Sequence, residues 1–224
     1  PASNDGAMGL SISGVEFALA IITPKDGQPS VADLSWTGLE VNADNVSLVG
    51  IPELTLSASD IHVEINRVSG TADGVEPGTK VVDFKTTPVD VPTGPGTTLQ
   101  LGMDGADGQL VRVQAGKATL AISDYVHLSG SFAFEKGSPQ TVILSDNTPK
   151  EVSVIKIGAG NVDVFAGVGP YFVDSDKDGD IDGDDTPSSD AMGVAIHDID
   201  IALALMKPSD QNDQASYFAL RANA

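Results

Sequence analysis

The stretch Leu54-Thr55-Leu56-Ser57-Ala58-Ser59-Asp60-Ile61-His62-Val63-Glu64-Ile65 decides how this chain folds. Its apolar residues are Leu54, Leu56 and Ala58, then Ile61, Val63 and Ile65, so a period of two is kept while its phase switches at Asp60. Period two marks a strand with one buried face. The same figure recurs in both directions along the chain. Leu10 and Ile12 pass through Gly14 to Val15, Phe17 and Leu19, and Leu39 and Val41 pass through Asp44-Asn45 to Val46 and Leu48. Val111 and Val113 pass through Gly116 to Ala118, Leu120 and Ile122, then through Asp124 to Val126 and Leu128. Ile157 passes through Gly160-Asn161 to Val162 and Val164, and Val194 and Ile196 pass through Asp198 to Ile199, Ile201 and Leu203.

Gly, Asp and Asn tolerate the left-handed backbone of a sharp bend. In one flat sheet a phase switch would expose the next apolar face, whereas around a corner that face stays inside. The pattern therefore predicts an all-β fold, a solenoid-like wrap of β-arcs similar to a parallel β-helix. Two excursions interrupt it. Gly70 to Gly96 carries Pro77, Pro88, Pro92 and Pro95 and reads as irregular, with a short strand at Val81-Val82-Asp83-Phe84. Gly137 to Lys150 reads as a loop with a short strand at Val142-Ile143-Leu144. Such excursions favour the alternative, an antiparallel β-sandwich. Nothing in the sequence argues for a long helix.

The chain has 224 residues, 41% hydrophobic, enough for a core, and a net charge of −20, which argues against nucleic acid and anionic membranes as partners. It has no cysteine, which excludes disulfides, thiolate metal sites and cysteine nucleophiles. No apolar run is long enough to span a bilayer as a helix, so no membrane insertion is expected.

The acidic residues concentrate in Asp174-Ser175-Asp176-Lys177-Asp178-Gly179-Asp180-Ile181-Asp182-Gly183-Asp184-Asp185. Carboxylates stand at positions 1, 3, 5, 9 and 12 of these twelve residues, with Gly179 at position 6 and Ile181 at position 8. A hard divalent cation takes six to eight oxygens, and this spacing folds them around one point. The expected ligands for Ca2+ are the side chains of Asp174, Asp176, Asp178, Asp182 and Asp185 and the carbonyl of Asp180. Without a cation, seven Asp in twelve residues repel one another. The loop resembles the EF-hand calcium loop, and more closely the dockerin-type loop, which ends in Asp at position 12. The resemblance covers these twelve residues. The flanks depart from it: Gly169 to Val173 reads as a turn and then a strand, and Thr186 to Asp190 does not begin an amphipathic helix.

A second pattern links the two ends of the chain. Ala7-Met8-Gly9-Leu10-Ser11-Ile12 returns as Ala191-Met192-Gly193-Val194-Ala195-Ile196, an offset of 191 − 7 = 184. Val15, Phe17, Ala18, Leu19, Ala20 and Pro24 then match Ile199, Ile201, Ala202, Leu203, Ala204 and Pro208. After a gap of three, Ser35, Trp36, Leu39 and Asn42 match Ser216, Tyr217, Leu220 and Asn223. A match of this length points to a tandem array. Residues 1–190 are expected to be one repeat unit ending in the calcium loop, and residues 191–224 the start of the next. With its acidic, cysteine-free composition and one calcium loop per unit, the chain resembles the giant repetitive extracellular proteins of bacteria. Many of these are calcium-rigidified adhesins or biofilm proteins exported by type I secretion. The resemblance implies an extracellular or cell-surface place, neighbouring repeat units as partners, and a surface glycan or another cell as adhesion target. Gly-Gly-x-Gly-x-Asp nonapeptides are absent.

Catalytic patterns do not gather. Gly158-Ala159-Gly160 lacks the third glycine of a dinucleotide site and reads as a turn. There is no Gly-x-Ser-x-Gly elbow. His62, His127 and His197 alternate with inward apolar residues and are expected to face solvent. Met103 to Gly108 reads as an Asp-Gly turn. The expected function is a non-enzymatic, calcium-stabilised structural or adhesive repeat module of a large secreted or cell-surface protein. The alternative is a carbohydrate-binding module or a β-helical polysaccharide-active enzyme. Only 5% of residues are aromatic, which leaves little for a sugar-stacking platform.

Overall fold

A computed structural model describes residues 8–25, 34–70, 80–169, 171–173, 175 and 186–224. The described residues are all-β, and no α-helix occurs among them. The strands are β1 (Gly9–Ser13), β2 (Glu16–Ile22), β3 (Ser35–Val49), β4 (Leu54–Ser69), β5 (Val89–Gly94), β6 (Thr97–Leu101) and β7 (Leu110–Ile122). They continue as β8 (Val126–Lys136), β9 (Gln140–Ile143), β10 (Pro149–Val168), β11 (Phe172–Val173), β12 (Thr186–Pro187), β13 (Met192–Pro208) and β14 (Tyr217–Asn223). Ten of them form one sheet in the order β1-β3-β4-β7-β8-β10-β13-β14, with β2 beside β3 and β9 beside β10. The pairs β5–β6 and β11–β12 form two small sheets.

Each pairing in the large sheet is antiparallel. This overturns the expected solenoid-like, parallel β-helix-like wrap. The physical reason lies at the phase switches. Gly14, Asp60, Asn161 and Asp198 do take positive φ, of 61°, 52°, 50° and 57°. Asp60, Asn161 and Asp198 lie inside their strands, and Gly14 separates β1 from β2, which both stay paired with β3. Ala43↔Ile61 and Asn45↔Ser59 pair on either side of Asp60, as do Ile61↔Ala115 and Ser59↔Lys117. Each left-handed residue kinks a strand that stays hydrogen-bonded to the same neighbours. Gly14, Asp44, Asp60 and Gly116 thus stand in one row across the sheet, and β8, β10 and β13 continue the row as register shifts. A Cβ on Gly116 would lie 2.8 Å from the Cβ of Asp60, so the row leaves no room for a side chain there. At Asp124 the same kind of signal does something else: Ser123, at φ 46°, reverses the chain and β7 returns as β8 through Ile122↔Val126. The alternative, an antiparallel sandwich, lies nearer, because the β5–β6 hairpin makes a second layer over β2.

Directly opposed residues share a face. Above the kinked row, Phe17, Val41, Val63, Val113, Phe134, Ile157, Leu203 and Leu220 form one apolar line through eight strands. Below it the numbering phase is inverted, and Leu56, Leu120, Leu128, Val164 and Ile196 form another. Much of these faces is open to solvent: Phe17, Leu56, Val113, Ile157, Ile196 and Leu220 are exposed, while the others named are half-buried by their neighbours in the sheet. Ile21 is 66% exposed and Phe218 75%. The total accessible surface is 14114 Å2, whereas a compact monomer of this mass exposes about 9,600 Å2.

The core lies on the opposite side of the upper half. Phe84, Leu101 and Met103 cluster there with Ala18, and Val89, Val91 and Leu99 of the β5–β6 hairpin pack around them. Each fully buried apolar side chain contributes about 1.5–3 kcal/mol. Residues 84–86 form a turn, not the end of the expected short strand. The Asp83 carboxylate accepts from Thr86 N and Thr86 Oγ1 and from Gly105 N, and these local bonds outcompete an extended backbone. The expected strand near Val142 is β9, paired with the first residues of β10. Gly158 to Gly160 is no turn; it lies inside β10.

Candidate functional site: the root of the acidic loop and the charged ladder

The expected calcium ligands Asp174, Asp176, Asp178, Asp180, Asp182 and Asp185 lie outside the described residues. Their flanks are described. Val173 pairs with Thr186, and Phe172 with Pro187, so the twelve-residue segment leaves and rejoins the fold through one antiparallel ladder. Ser188 N donates to Tyr171 O at 2.7 Å and extends that ladder outward.

Tyr171 fastens this root to the sheet. Its ring stacks on Phe165 of β10 with centroids 4.5 Å apart and an interplanar angle of 7°. Its hydroxyl lies 2.8 Å from His197 Nε2, and His197 Nδ1 lies 3.0 Å from Asp163 Oδ1. One tautomer satisfies both contacts: the tyrosine hydroxyl donates to Nε2 and Nδ1–H donates to the carboxylate. Asp163 Oδ1 also accepts from Asp198 N, at 3.3 Å. A line of polar contacts therefore runs from the loop root to the kinked row. Burial raises the Tyr171 hydroxyl pKa, and the charge of Asp163 adds to this. The hydroxyl is therefore a donor over the whole ordinary pH range.

The three histidines do not share one environment. His197 is exposed, as expected, and His62 is half-buried, its Nδ1 2.7 Å from Asn42 Oδ1. His127 is buried, which corrects the expectation that it faces solvent. Its ring lies 6.2 Å from that of Tyr171, because the segment rooting the loop covers this face of β8. Period two identified the face, but not the later segment that would cover it. Burial lowers the His127 pKa and keeps the ring neutral near neutrality.

The upper half carries a second polar feature, which alternation alone does not mark. Glu40, Glu64, Arg112, Glu135 and Lys156 stand opposite one another on adjacent strands. Arg112 Nη1 donates to Glu64 Oε2 at 2.7 Å, and its Nη2 donates to Glu135 Oε2 at 2.9 Å. Lys156 Nζ donates to Glu135 Oε1 at 2.7 Å. The hydrogen bond from Lys156 holds the Glu135 carboxyl below its ordinary pKa, against desolvation, with Arg112 helping. Burial pushes Glu40 the other way, only partly countered by the Gly102 N–H. From Glu64 through Arg112, Glu135 and Lys156 the ladder alternates in sign and pairs its charges, while Glu40 stands beside the like charge of Glu64; this part of the ladder is a structural device. Sequence register would reveal it only once the antiparallel pairing is known.

Asp104 and Asp107 are likewise occupied, in line with a plain turn. Asp104 caps a 3-10 turn at Gly105–Asp107 and pairs with Lys85 Nζ at 2.7 Å, while Asp107 lies 3.3 Å from Arg112. Among the described residues no group of three or more His, Asp or Glu is placed to hold a metal. No family model, no curated protein and no solved structure matches this chain.

Proposed function

We propose that this chain is a non-enzymatic, calcium-stabilised repeat module of a large secreted or cell-surface protein. Its work is mechanical: each unit extends the sheet of its neighbour, and calcium stiffens the acidic loop near the junction. One observation carries the reading. The hairpin formed by β13 and β14 repeats the register of β2 and β3. Ile22↔Trp36, Leu19↔Leu39 and Glu16↔Asn42 return as Met206↔Tyr217, Leu203↔Leu220 and Asp200↔Asn223. The kink repeats as well, since Gly14 and Asp198, 184 residues apart, both take positive φ. Two unrelated hairpins of one domain have no reason to share register, kink and sequence together. The ligand role of Asp174, Asp176, Asp178, Asp180, Asp182 and Asp185 rests on their spacing and on the closed ladder at Val173↔Thr186.

Calcium that binds the native state and not the unfolded chain contributes about 2.7 kcal/mol at a hundredfold excess over its dissociation constant. Chelation should therefore lower the melting temperature and increase protease cutting between residues 172 and 190. Asp174→Ala or Asp178→Ala should abolish the calcium response. Identical melting curves in calcium and in chelator, with no calorimetric binding, would refute the calcium role.

A further inference from the structure

Of the two equivalent first strands, only the second has a neighbour on each side among the described residues. β13 pairs with β14 on one side and with β10 on the other. Its counterpart, β1 followed by β2, pairs with β3 on one side, and no described strand pairs with its other edge. That edge is thinly protected, by the kink at Gly14 and a single charge. Between Gly9 and Ile22 there is no proline and no lysine, and Glu16 is the one charged residue.

Gly9 points to what belongs there. Its counterpart Gly193 has no room for a side chain: a Cβ would lie 2.4 Å from Ala166 O and 2.7 Å from Gly167 Cα, both on β10. Glycine is required at 193 by the strand beside it. A Cβ on Gly9 would meet nothing within 4 Å, and Gly9 has no positive φ. A glycine in a strand, here the first residue of β1, gives up the packing of a side chain unless such a cause is present. The cause present at Gly193 is absent at Gly9 among the described residues, although the residue is the same.

We propose that the open edge of β1–β2 seats a β10-type strand from a preceding copy of this unit, in the register that β10 holds with β13. This rests on the tandem-array reading above. β10 faces β13 through Val152↔Pro208, Ile155↔Leu205, Ile157↔Leu203, Val164↔Ile196 and Ala166↔Val194. Shifted by 184, the same strand meets Pro24, Ile21, Leu19, Ile12 and Leu10. Each apolar line then continues across the junction, whereas a slip of one residue would set Lys156 among them. The register shift of β10 at the kinked row finds Gly14 where Asp198 now stands, and both residues hold positive φ.

The chain has no cysteine, so two introduced thiols report on each other alone. The test is a two-unit chain in which residues 1–190 are followed by residues 7–224, carrying Ile155→Cys in the first unit and Ile21→Cys in the second. Under mild oxidation this pair should cross-link roughly tenfold faster than the shifted pair Ile155→Cys with Leu19→Cys. Gly9→Val in the second unit should bring the matched pair down to the shifted rate, while in the 224-residue chain the same substitution leaves the melting temperature unchanged. Equal rates for the two pairs, or a Gly9→Val that leaves the cross-link intact or unfolds the single unit, would overturn the proposal. A parent polypeptide with no further unit would sink the array reading without touching the cross-linking result. Equal cross-linking rates would instead leave the array as separately folded units.

Discussion

The β2–β3 end of the sheet and the β13–β14 end are the same hairpin in two conditions. At the first, the inner face is covered: Phe84 and Leu101 are fully buried over Ala18 and Gly38. At the second, the counterparts Ala202 and Ala219, with Ala204, line an open groove of about 560 Å3. Sequence and register agree between the two, so neither decides whether a strand pair becomes core. What decides it is whether another segment arrives with large side chains. The one informative difference is Gly38, where a Cβ would lie 2.6 Å from the Phe84 ring, against Ala219 at the open end. The covered end has given up a side chain to admit the aromatic ring.

The harshest way to break this comparison is Phe84→Ala. The ring is fully buried, and its removal should cost about 3–5 kcal/mol in urea denaturation. Hydrogen exchange should accelerate in β2 and β3 and stay unchanged in β13 and β14. A uniform loss over the sheet would mean that the two ends do not differ in the way described.

Gly38→Ala sharpens the comparison. Its Cβ would overpack the Phe84 ring, at an expected cost of about 1–3 kcal/mol. The reciprocal Ala219→Gly meets no such ring and should change stability by less than about 1 kcal/mol. Equal effects in thermal melts would show that Gly38 is not fitted to Phe84.

The charged ladder should behave less dramatically. Arg112→Met leaves Glu64 and Glu135 without their shared donor and should destabilise by about 1–3 kcal/mol near neutral pH. Acid should narrow that gap. Glu135 has a lowered folded pKa, so its contribution is present above the ordinary glutamate pKa and fades as pH falls through the folded value. Glu40 has the opposite sign: its folded pKa is raised, so its ionised form opposes folding near neutrality and the penalty disappears as pH falls. Glu40→Gln keeps an acceptor for Gly102 N and should stabilise slightly at pH 7, by less than about 1 kcal/mol. Chemical denaturation from pH 4 to 7 reads both slopes, and parallel slopes for the two variants would refute the assignment.

Much of this was legible in the residues. Alternation located most strands of the large sheet, and of the phase switches those at Gly14, Asp60, Asn161 and Asp198 take positive φ, while those at Asp44-Asn45, Gly116 and Asp124 do not. The offset of 184 paired two hairpins before any register was known. The small β5–β6 hairpin was not legible, because Pro92 and Pro95 argue against a strand. It survives as a two-stranded ribbon, where Pro92 sits opposite Thr98 with no third strand needing its missing N–H.

The amino-acid sequence by itself determined that the described residues are all-β, that the backbone bends at Gly14, Asp60, Asn161 and Asp198, and that acidic residues stand at calcium spacing between 174 and 185. Those properties are local: they depend on side-chain alternation, on which residues tolerate a left-handed backbone, and on charge density within twelve positions. Whether a left-handed residue kinks a strand, as at Asp60, or reverses it, as next to Asp124, was decided by the tertiary structure. So were the burial of His127 and the assembly of Glu64, Arg112 and Glu135 into one ladder. Each depends on a partner strand or covering segment distant in sequence, and a phase switch reads the same whether its neighbours continue past it or turn back.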